Sequence, residues 1–333
     1  MKRISVIIPC RNEERHIQGC LESLLKCTYP HDSLEIILID GMSTDRTREL
    51  IQEYSNRFLM IRIIENPAKT TPHALNLGIK ASLGDFVIIL SAHAQYPSDY
   101  FEKLVSETIR LNAACTGPVL ETKTIASHKT ANAIKNVLSD RLGVGSRFRT
   151  GSKKIESVDT VAFGCYPIET FKHYGLFDER LIRNQDIEFN KRIIRGGGKI
   201  YLIPDVVCSY FARDNFGDFS LNNFQNGYWN ILTPYYTGTF SSLSLRHFVP
   251  LVFVLSLILP ILLSMLYPFL LWIWSAIFIT YVSIIGIRSW HIRKETTWLH
   301  QILAFFILHF SYGIGSIGGI IAITKKILSR DSV

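Results

Sequence analysis

The sequence predicts an α/β domain with a mostly parallel sheet, followed by a helical membrane region. Short apolar runs stop at polar tips: Ile4–Pro9 runs into Cys10-Arg11-Asn12-Glu13, Ile36–Ile39 into Asp40-Gly41-Met42-Ser43, and Phe86–Leu90 into Ser91-Ala92-His93. Segments with helical spacing separate these runs, and strands alternating with helices imply parallel pairing. From Phe248 onward the chain is almost purely apolar. Ligands of open α/β sheets sit just beyond the carboxyl ends of the strands, so three polar strand tips imply one nucleotide-sized cleft.

Residues 4–9 read as the first strand, and Ile17, Leu21, Leu24 and Leu25 recur at helical spacing until Tyr29-Pro30. Leu34–Ile39 is the next strand, and Ser43-Thr44-Asp45 supplies an N-cap for a helix over 46–57. A strand at Ile61–Glu65, a helix at Thr71–Ser82 and the strand Phe86–Leu90 follow, then a helix from Ser98 to Leu111. Within Ser127–Lys154, Arg141, Arg147, Arg149, Lys153 and Lys154 interleave with Gly143, Gly145 and Gly151. That pattern reads as a basic loop, either beside an anionic substrate or bilayer or simply solvated. Val158–Ile168 reads as a strand, Phe171–Leu181 as a helix, and Ile187–Arg195 as a helix stopped by Gly196-Gly197-Gly198. Short strands at Ile200–Ile203 and Val206–Tyr210 flank Pro204-Asp205. These elements place an α/β domain at 1–218, a connector at 219–246 and a membrane region at 247–333. The connector is dense in Phe219, Phe224, Tyr228, Trp229, Tyr235, Tyr236 and Phe240. It reads as a partly interfacial helix, with an ordinary aromatic core segment as the alternative.

A spanning helix needs ~20 apolar residues, which places spans at 248–265, 269–287 and 299–324. The net charge is +8, shared equally between residues 1–246 and the tail. Neither half is basic enough for a nucleic-acid partner; an anionic lipid surface and a phosphate-bearing substrate suit the excess better. The six cysteines form no C-x-x-C pair, which argues against zinc or a disulfide framework and for a reducing cytosol. The chain opens on a strand without a signal peptide, so the N-terminal domain is expected in the cytoplasm. Arg288, Arg293 and Lys294 between the second and third spans obey the positive-inside rule, whereas a third span would export Lys325, Lys326 and Arg330 against it.

Asp40 ends a strand, where a carboxylate accepts hydrogen bonds from a ribose or a base N–H, and Gly41 lets backbone approach a ligand closely. Asp45 fits a helix cap. No G-x-G-x-x-G or G-x-x-x-x-G-K-[ST] is present, which counts against a dehydrogenase or an NTPase. Val6-Ile7-Ile8-Pro9-Cys10-Arg11-Asn12-Glu13, Asp40-Gly41-x-Ser43-x-Asp45-x-Thr47 and Asn66-Pro67…Ala74-Leu75-Asn76-x-Gly78-Ile79, in that order, resemble the inverting family-2 glycosyltransferases. The resemblance covers about residues 3–215, and with the membrane tail it is similar to the succinoglycan-type exopolysaccharide glucosyltransferases.

That resemblance implies a GT-A, Rossmann-like catalytic domain and a nucleotide-sugar donor. Pro9, Arg11 and Glu13 would line the nucleotide pocket, Asp40 would contact a uracil-type base, and Lys69 lies where a cation meets base or phosphate. Ser91-Ala92-His93 falls where the family carries Asp-x-Asp, whose carboxylates hold a ribose hydroxyl and a divalent metal. His93 resembles the Asp-Ala-His-Ala form of the succinoglycan-type members, and Ser91 removes a charge. Three readings stand: His93 ligates Mn2+, which accepts imidazole more readily than Mg2+ does; the site works with little metal; or the enzyme is impaired. Asn184-Gln185-Asp186 looks like the family's Glu-Asp pair with Gln185 for Glu, leaving Asp186 as catalytic base, as helix cap, or as both. Asn222-x-Phe224-Gln225-Asn226-Gly227-Tyr228-Trp229 only faintly matches the Gln-x-x-Arg-Trp of processive synthases, because Tyr228 takes the Arg position.

The expected activity is a membrane-anchored inverting hexosyl transfer from a nucleotide sugar, UDP-linked, to a lipid-linked saccharide or glycan acceptor. It would serve exopolysaccharide or cell-envelope synthesis at the inner membrane, with a cytoplasmic catalytic domain, membrane lipid as a partner and no nucleic acid. A catalytically weak scaffolding subunit and a polyprenyl-phosphate sugar synthase are the alternatives. The sequence does not set the oligomeric state, the sugar or the linkage.

Overall fold

The computed structural model describes residues 2–330; the ends of the expected domains at Met1 and 331–333 lie outside the described residues. Strands β1 (Ile4–Cys10), β2 (Leu34–Asp40), β3 (Ile61–Glu65) and β4 (Phe86–Ile89) alternate with helices α1 (Ile17–Leu25), α2 (Thr47–Arg57) and α3 (Thr71–Ala81). There follow β5 (Ala94–Gln95), α4 (Tyr100–Arg110), β6 (Cys115–Lys123), α5 (Lys129–Leu138), α6 (Arg147–Thr150), β7 (Glu156–Ser157) and β8 (Cys165–Pro167). Next come α7 (Ile168–Tyr174), α8 (Gln185–Arg195) and β9 (Ile200–Phe211), then α9 (Phe216–Thr237), α10 (Val249–Leu263), α11 (Leu270–Ile292) and α12 (Trp298–Arg330). The chain up to Thr122 and from Ser146 to Phe211 forms one compact unit; Lys123–Gly145 and the chain from Ala212 onward form a second.

In the first unit the described strands join one sheet in the order β3-β2-β1-β4-β8-β6-β9-β5, with β7 paired to β9. β3, β2, β1 and β4 are parallel; β8 and β6 continue the sheet antiparallel. Parallel strands need both faces covered, and every residue of β2 is buried. Side chains alternate across the strand. Val6 and Ile8 therefore pack with Ile17, Leu21 and Phe101 on one face, while Ile7, Ile37 and Ile39 meet Leu75, Phe171 and Phe189 on the other. Each fully buried aliphatic side chain contributes roughly 1.5–3 kcal/mol.

Several segments differ from the sequence expectation, among them the expected helix over 171–181, which ends at Tyr174 before Gly175, and β6, which the sequence did not mark. The expected strand over 158–168 shrinks to β8, and residues 161–164 become a wall of the cleft described below. The two short strands around Pro204 are one strand, β9. β9 pairs with β7 at Tyr201 and Leu202 and with β5 at Ser209 and Tyr210, so the missing N–H of Pro204 interrupts neither ladder. The basic stretch 127–154 is not a continuous loop: it contains α5, which buries Ala133, Ile134 and Val137.

In the second unit, α5 is held against α11 and α12 by polar contacts. Asn136 donates to the Lys294 carbonyl and to Gln301 Oε1, both at 3.1 Å. Asn132 donates to the Glu295 carbonyl at 3.0 Å, and Lys135 pairs with Glu295 at 3.1 Å. Arg288 on α11 pairs with buried Asp140, its Nε lying 2.8 Å from Oδ2. The aromatic connector is α9, which runs parallel to α12 along the stripe Ser311, Gly315 and Gly319. Small residues let helix backbones approach closely in an apolar medium. A Cβ on Gly315 would collide with the Phe224 carbonyl, and one on Gly227 with the Tyr312 carbonyl. Three helical stretches, Leu245–Leu263, Leu270–Ile292 and Trp298–Ser329, are long and apolar enough to cross a membrane.

Candidate active site

The polar tips of β1 and β2 tie together into one rim. Asn12 N–H donates to Ser43 Oγ at 3.0 Å, Glu13 N–H to Thr47 Oγ1 at 2.7 Å, and Glu14 N–H to Asp45 Oδ2 at 3.2 Å. Thr44 N–H returns a bond to Asn12 Oδ1 at 2.9 Å. Much of the Asp-Gly-x-Ser-x-Asp-x-Thr pattern therefore holds the loops that shape the cleft. Asp45 also accepts from Thr47 N–H at 3.0 Å, although the N-cap position itself is Arg46, one residue beyond the cap expected from the sequence. Asp40 is fully buried at the base of this rim, where its carboxylate accepts from Ser43 Oγ at 2.6 Å and Ser43 N–H at 3.1 Å.

Beyond the strand ends lies a cleft of about 390 Å³. It gathers Pro9, Arg11, Glu13, Lys69, Ser91, His93 and Asp186; Asp40 sits behind it, next to the lining residue Gly41. His93 Nδ1 lies 3.2 Å from Glu13 Oε1 and 3.3 Å from Ser91 Oγ, so the tips of β1 and β4 meet through that imidazole. Asp186 stands in the first turn of α8, and Ile187 N–H donates to its Oδ1 at 2.9 Å. Asp186 is exposed at the cleft, and the surrounding walls raise its carboxyl pKa above the ordinary 3.8, opposed by the backbone N–H groups of Ile187 and Asp186 itself. Cys10 also lines the cleft. Burial, reinforced by the Asp40 and Glu13 carboxylates, pushes its thiol far up, so it stays protonated and is not a nucleophile.

Of the seven non-glycine residues with positive φ among the described residues, Lys69 and Phe163 line this cleft, and Asn12, Met42 and Asn184 are next in sequence to lining residues. Backbone of this kind costs about 1–3 kcal/mol per residue and concentrates where geometry serves a ligand. Phe163, Val161, Tyr166, Asn66 and Thr70 line the cleft and were not singled out as site residues by the sequence reading. Asn66 lay within a quoted motif, but the apolar wall 161–164 has no signal of its own in one sequence.

A family model, glycosyl transferase family 2, matches residues 5–165. A dolichyl N-acetyl-alpha-D-glucosaminyl phosphate 3-beta-D-2,3-diacetamido-2,3-dideoxy-beta-D-glucuronosyltransferase of Methanococcus voltae is 34% identical over 250 residues, 70% of this chain and 77% of that one. The chain belongs to glycosyltransferase family 2. The succinoglycan biosynthesis protein ExoA of Rhizobium meliloti (strain 1021) is 29% identical over 212 residues, 62% of this chain and 63% of its own. The mannosyltransferase PcManGT of Pyrobaculum calidifontis, solved with GDP-Man and Mn2+, superimposes with a TM-score of 0.59 at 15% identity, over 93% of this chain and 87% of that one. That likeness bears on the fold, which is GT-A-like.

This family-2 glycosyltransferase departs from the pattern its motifs resemble at the tip of β4. A hydroxyl and an imidazole stand there instead of two carboxylates, with Glu13 as the adjoining acid. Among the described residues no group of three His, Cys, Asp or Glu side chains is placed to hold a metal ion. The donor set fits a cation only as a partial site, completed by oxygens of a bound diphosphate.

Proposed function

We propose that this chain is a membrane-anchored inverting glycosyltransferase with a UDP-sugar donor and a lipid-linked saccharide or glycan acceptor, working at the cytoplasmic face of the membrane. The observation that carries the reading is the single cleft in which Asp186 faces the strand tips holding Arg11, Glu13, Lys69, Ser91 and His93. Pro9, Arg11, Glu13 and Lys69 hold the nucleotide with Ser91, and Asp40, buried behind the cleft, reaches the base only if its bonds to Ser43 are exchanged for bonds to the ligand. The acceptor oxygen attacks the anomeric carbon as the bond to the diphosphate breaks, and Asp186 takes the acceptor proton. The bonding electrons leave with the nucleotide. A carboxylate with a raised pKa is a stronger base, and desolvation by the cleft walls supplies that rise.

The test is a panel of UDP- and GDP-sugars scored by thermal stabilisation and by transfer to lipid-linked acceptors. A ligand that binds only the native state raises its melting temperature by mass action. UDP-sugars that stabilise and turn over support the reading. Stabilisation without any turnover would favour a scaffolding role, and no stabilisation by any nucleotide sugar would sink it. Asp40→Ala is expected to weaken UDP binding about tenfold or more, the value of a hydrogen bond to an ionised group. Unchanged calorimetric binding would remove Asp40 from the site.

His93, Glu13 and Ser91 are the residues that would hold a divalent ion together with the donor. Such an ion, when bound, neutralises charge on the departing diphosphate. The imidazole favours Mn2+ over Mg2+. Mn2+ binding, followed by electron paramagnetic resonance, should be weak alone and tighten when UDP is present. Ser91→Asp should tighten it further, and His93→Ala should abolish it. Equal Mg2+ and Mn2+ effects that survive in His93→Ala would place the ion elsewhere.

A further inference from the structure

The basic stretch that follows α5 re-enters the catalytic unit at Ser146, and it carries one cation onto a tyrosine that stands behind the cleft-lining His93 and Phe163. Arg149 lies on the short helix α6 with its guanidinium 4.5 Å from the ring centre of Tyr210. Tyr210 in turn meets His93 edge-on, ring centres 5.3 Å apart, and Phe163 at 6.5 Å. Both His93 and Phe163 line the cleft. Arg149 Nη1 donates to Thr122 Oγ1 at 3.2 Å, which fixes one edge of the guanidinium. Its neighbour Arg147 is already neutralised by Glu156 at 2.6 Å. Among the described residues no carboxylate lies within ion-pair distance of Arg149.

An arginine held by stacking and one neutral hydrogen bond keeps its charge and most of its donors for an anion. The site beside it is short of the means to handle a diphosphate. At the tip of β4, Ser91 and His93 supply no carboxylate, and Glu13 is the one acid beside them. We propose that Arg149 is the diphosphate-binding cation of this enzyme and makes up for the carboxylates absent at positions 91 and 93. The inference rests on the reading of the cleft as a nucleotide-sugar site. In the transfer step the bond between the anomeric carbon and the β-phosphate oxygen breaks, with its electron pair going to the nucleoside diphosphate. The bond to the acceptor oxygen forms, and the acceptor proton goes to Asp186. Arg149 donates hydrogen bonds to the phosphate oxygens as their charge grows and is unchanged at the end. Preorganised donors aimed at developing charge stabilise such a leaving group.

The test compares binding of UDP and of uridine to the full-length protein by ligand-observed nuclear magnetic resonance. EDTA is present throughout, so no metal contributes to the readout. Arg149→Gln should weaken UDP binding about tenfold and leave uridine binding unchanged. Arg149→Lys keeps the charge but loses the planar fork, and should fall between Gln and wild type. Thr122→Val, which removes only the 3.2 Å tie, should weaken UDP less than Arg149→Gln does. Full UDP affinity in Arg149→Gln, or equal loss for UDP and uridine, would overturn the role of Arg149 while leaving the donor site standing. Wild-type protein that binds neither UDP nor GDP would overturn the donor-site reading and this inference with it.

Discussion

Asp186→Asn should lower sugar transfer ~10²–10⁴-fold, the range expected for loss of a general base, while donor binding stays at wild-type strength. Asparagine keeps the size of the side chain and can still accept from Ile187 N–H, so the start of α8 is preserved. Only the capacity to take a proton is lost. The pH dependence gives an independent readout. Desolvation raises the folded-state pKa of Asp186 above 3.8, so the acid limb of the rate profile should lie above that value. Activity rises as pH increases through the limb, because the ionised form is the base. The sign for stability is opposite to that of a salt-bridged carboxylate. A raised carboxyl pKa favours the protonated folded form, so Asp186 costs stability above its folded pKa, and the cost disappears below the unfolded one. Single-turnover rates across pH, with donor affinity measured in parallel, check the first point, and unfolding midpoints across the same pH range check the second. Wild-type rates in the Asn variant would assign the proton to another group.

Gly227→Val should destabilise the helical unit by about 3 kcal/mol, toward the upper end for overpacking. The added Cβ would sit on the carbonyl oxygen of Tyr312 and close to Ser316 N, which are backbone atoms that no rotamer change can move aside. α9 and α12 must then separate along a stripe that also carries the Ser220–Ser311 hydrogen bond at 2.8 Å. Gly318→Ala is the control. Its Cβ would meet the tip of the Phe224 ring at 3.4 Å, an ordinary contact, so a change of only a few tenths of a kcal/mol is expected, within the usual range for uncrowded substitutions. Thermal unfolding in one detergent distinguishes the two variants. Equal melting temperatures would mean that the close approach of these helices carries little of the stability.

The sequence was most informative where one local rule acts alone. β1, β2 and β3 are legible because each is an apolar run bounded by turn residues, and β3 begins and ends where its pattern does. It was least informative where a residue's meaning depends on a distant partner. α5 carries Asn132, Asn136 and Lys135, which look like solvent residues beside the glycines and arginines that follow. They are instead joined to residues 294–301, more than a hundred and fifty positions away. The aromatic connector was legible as a helix but not as the partner of α12, since the small residues that permit the contact are split between the two helices.

The sequence alone determined the family, through motifs whose order and chemistry are local: the strand tips, Asp40, the Ser91-Ala92-His93 variant and Asp186 all stand in short readable segments. Tertiary structure decided which of them face a common space. It put Asp40 behind the rim, bonded to Ser43, and joined Glu13 to His93 across eighty residues. It also stood Arg149 against Tyr210 beside that histidine. The physical reason is one of range. Strand and turn preferences are fixed by neighbours a few residues away, whereas burial, hydrogen-bond satisfaction and pKa are properties of the assembled environment, which exists only once the sheet has brought those segments together.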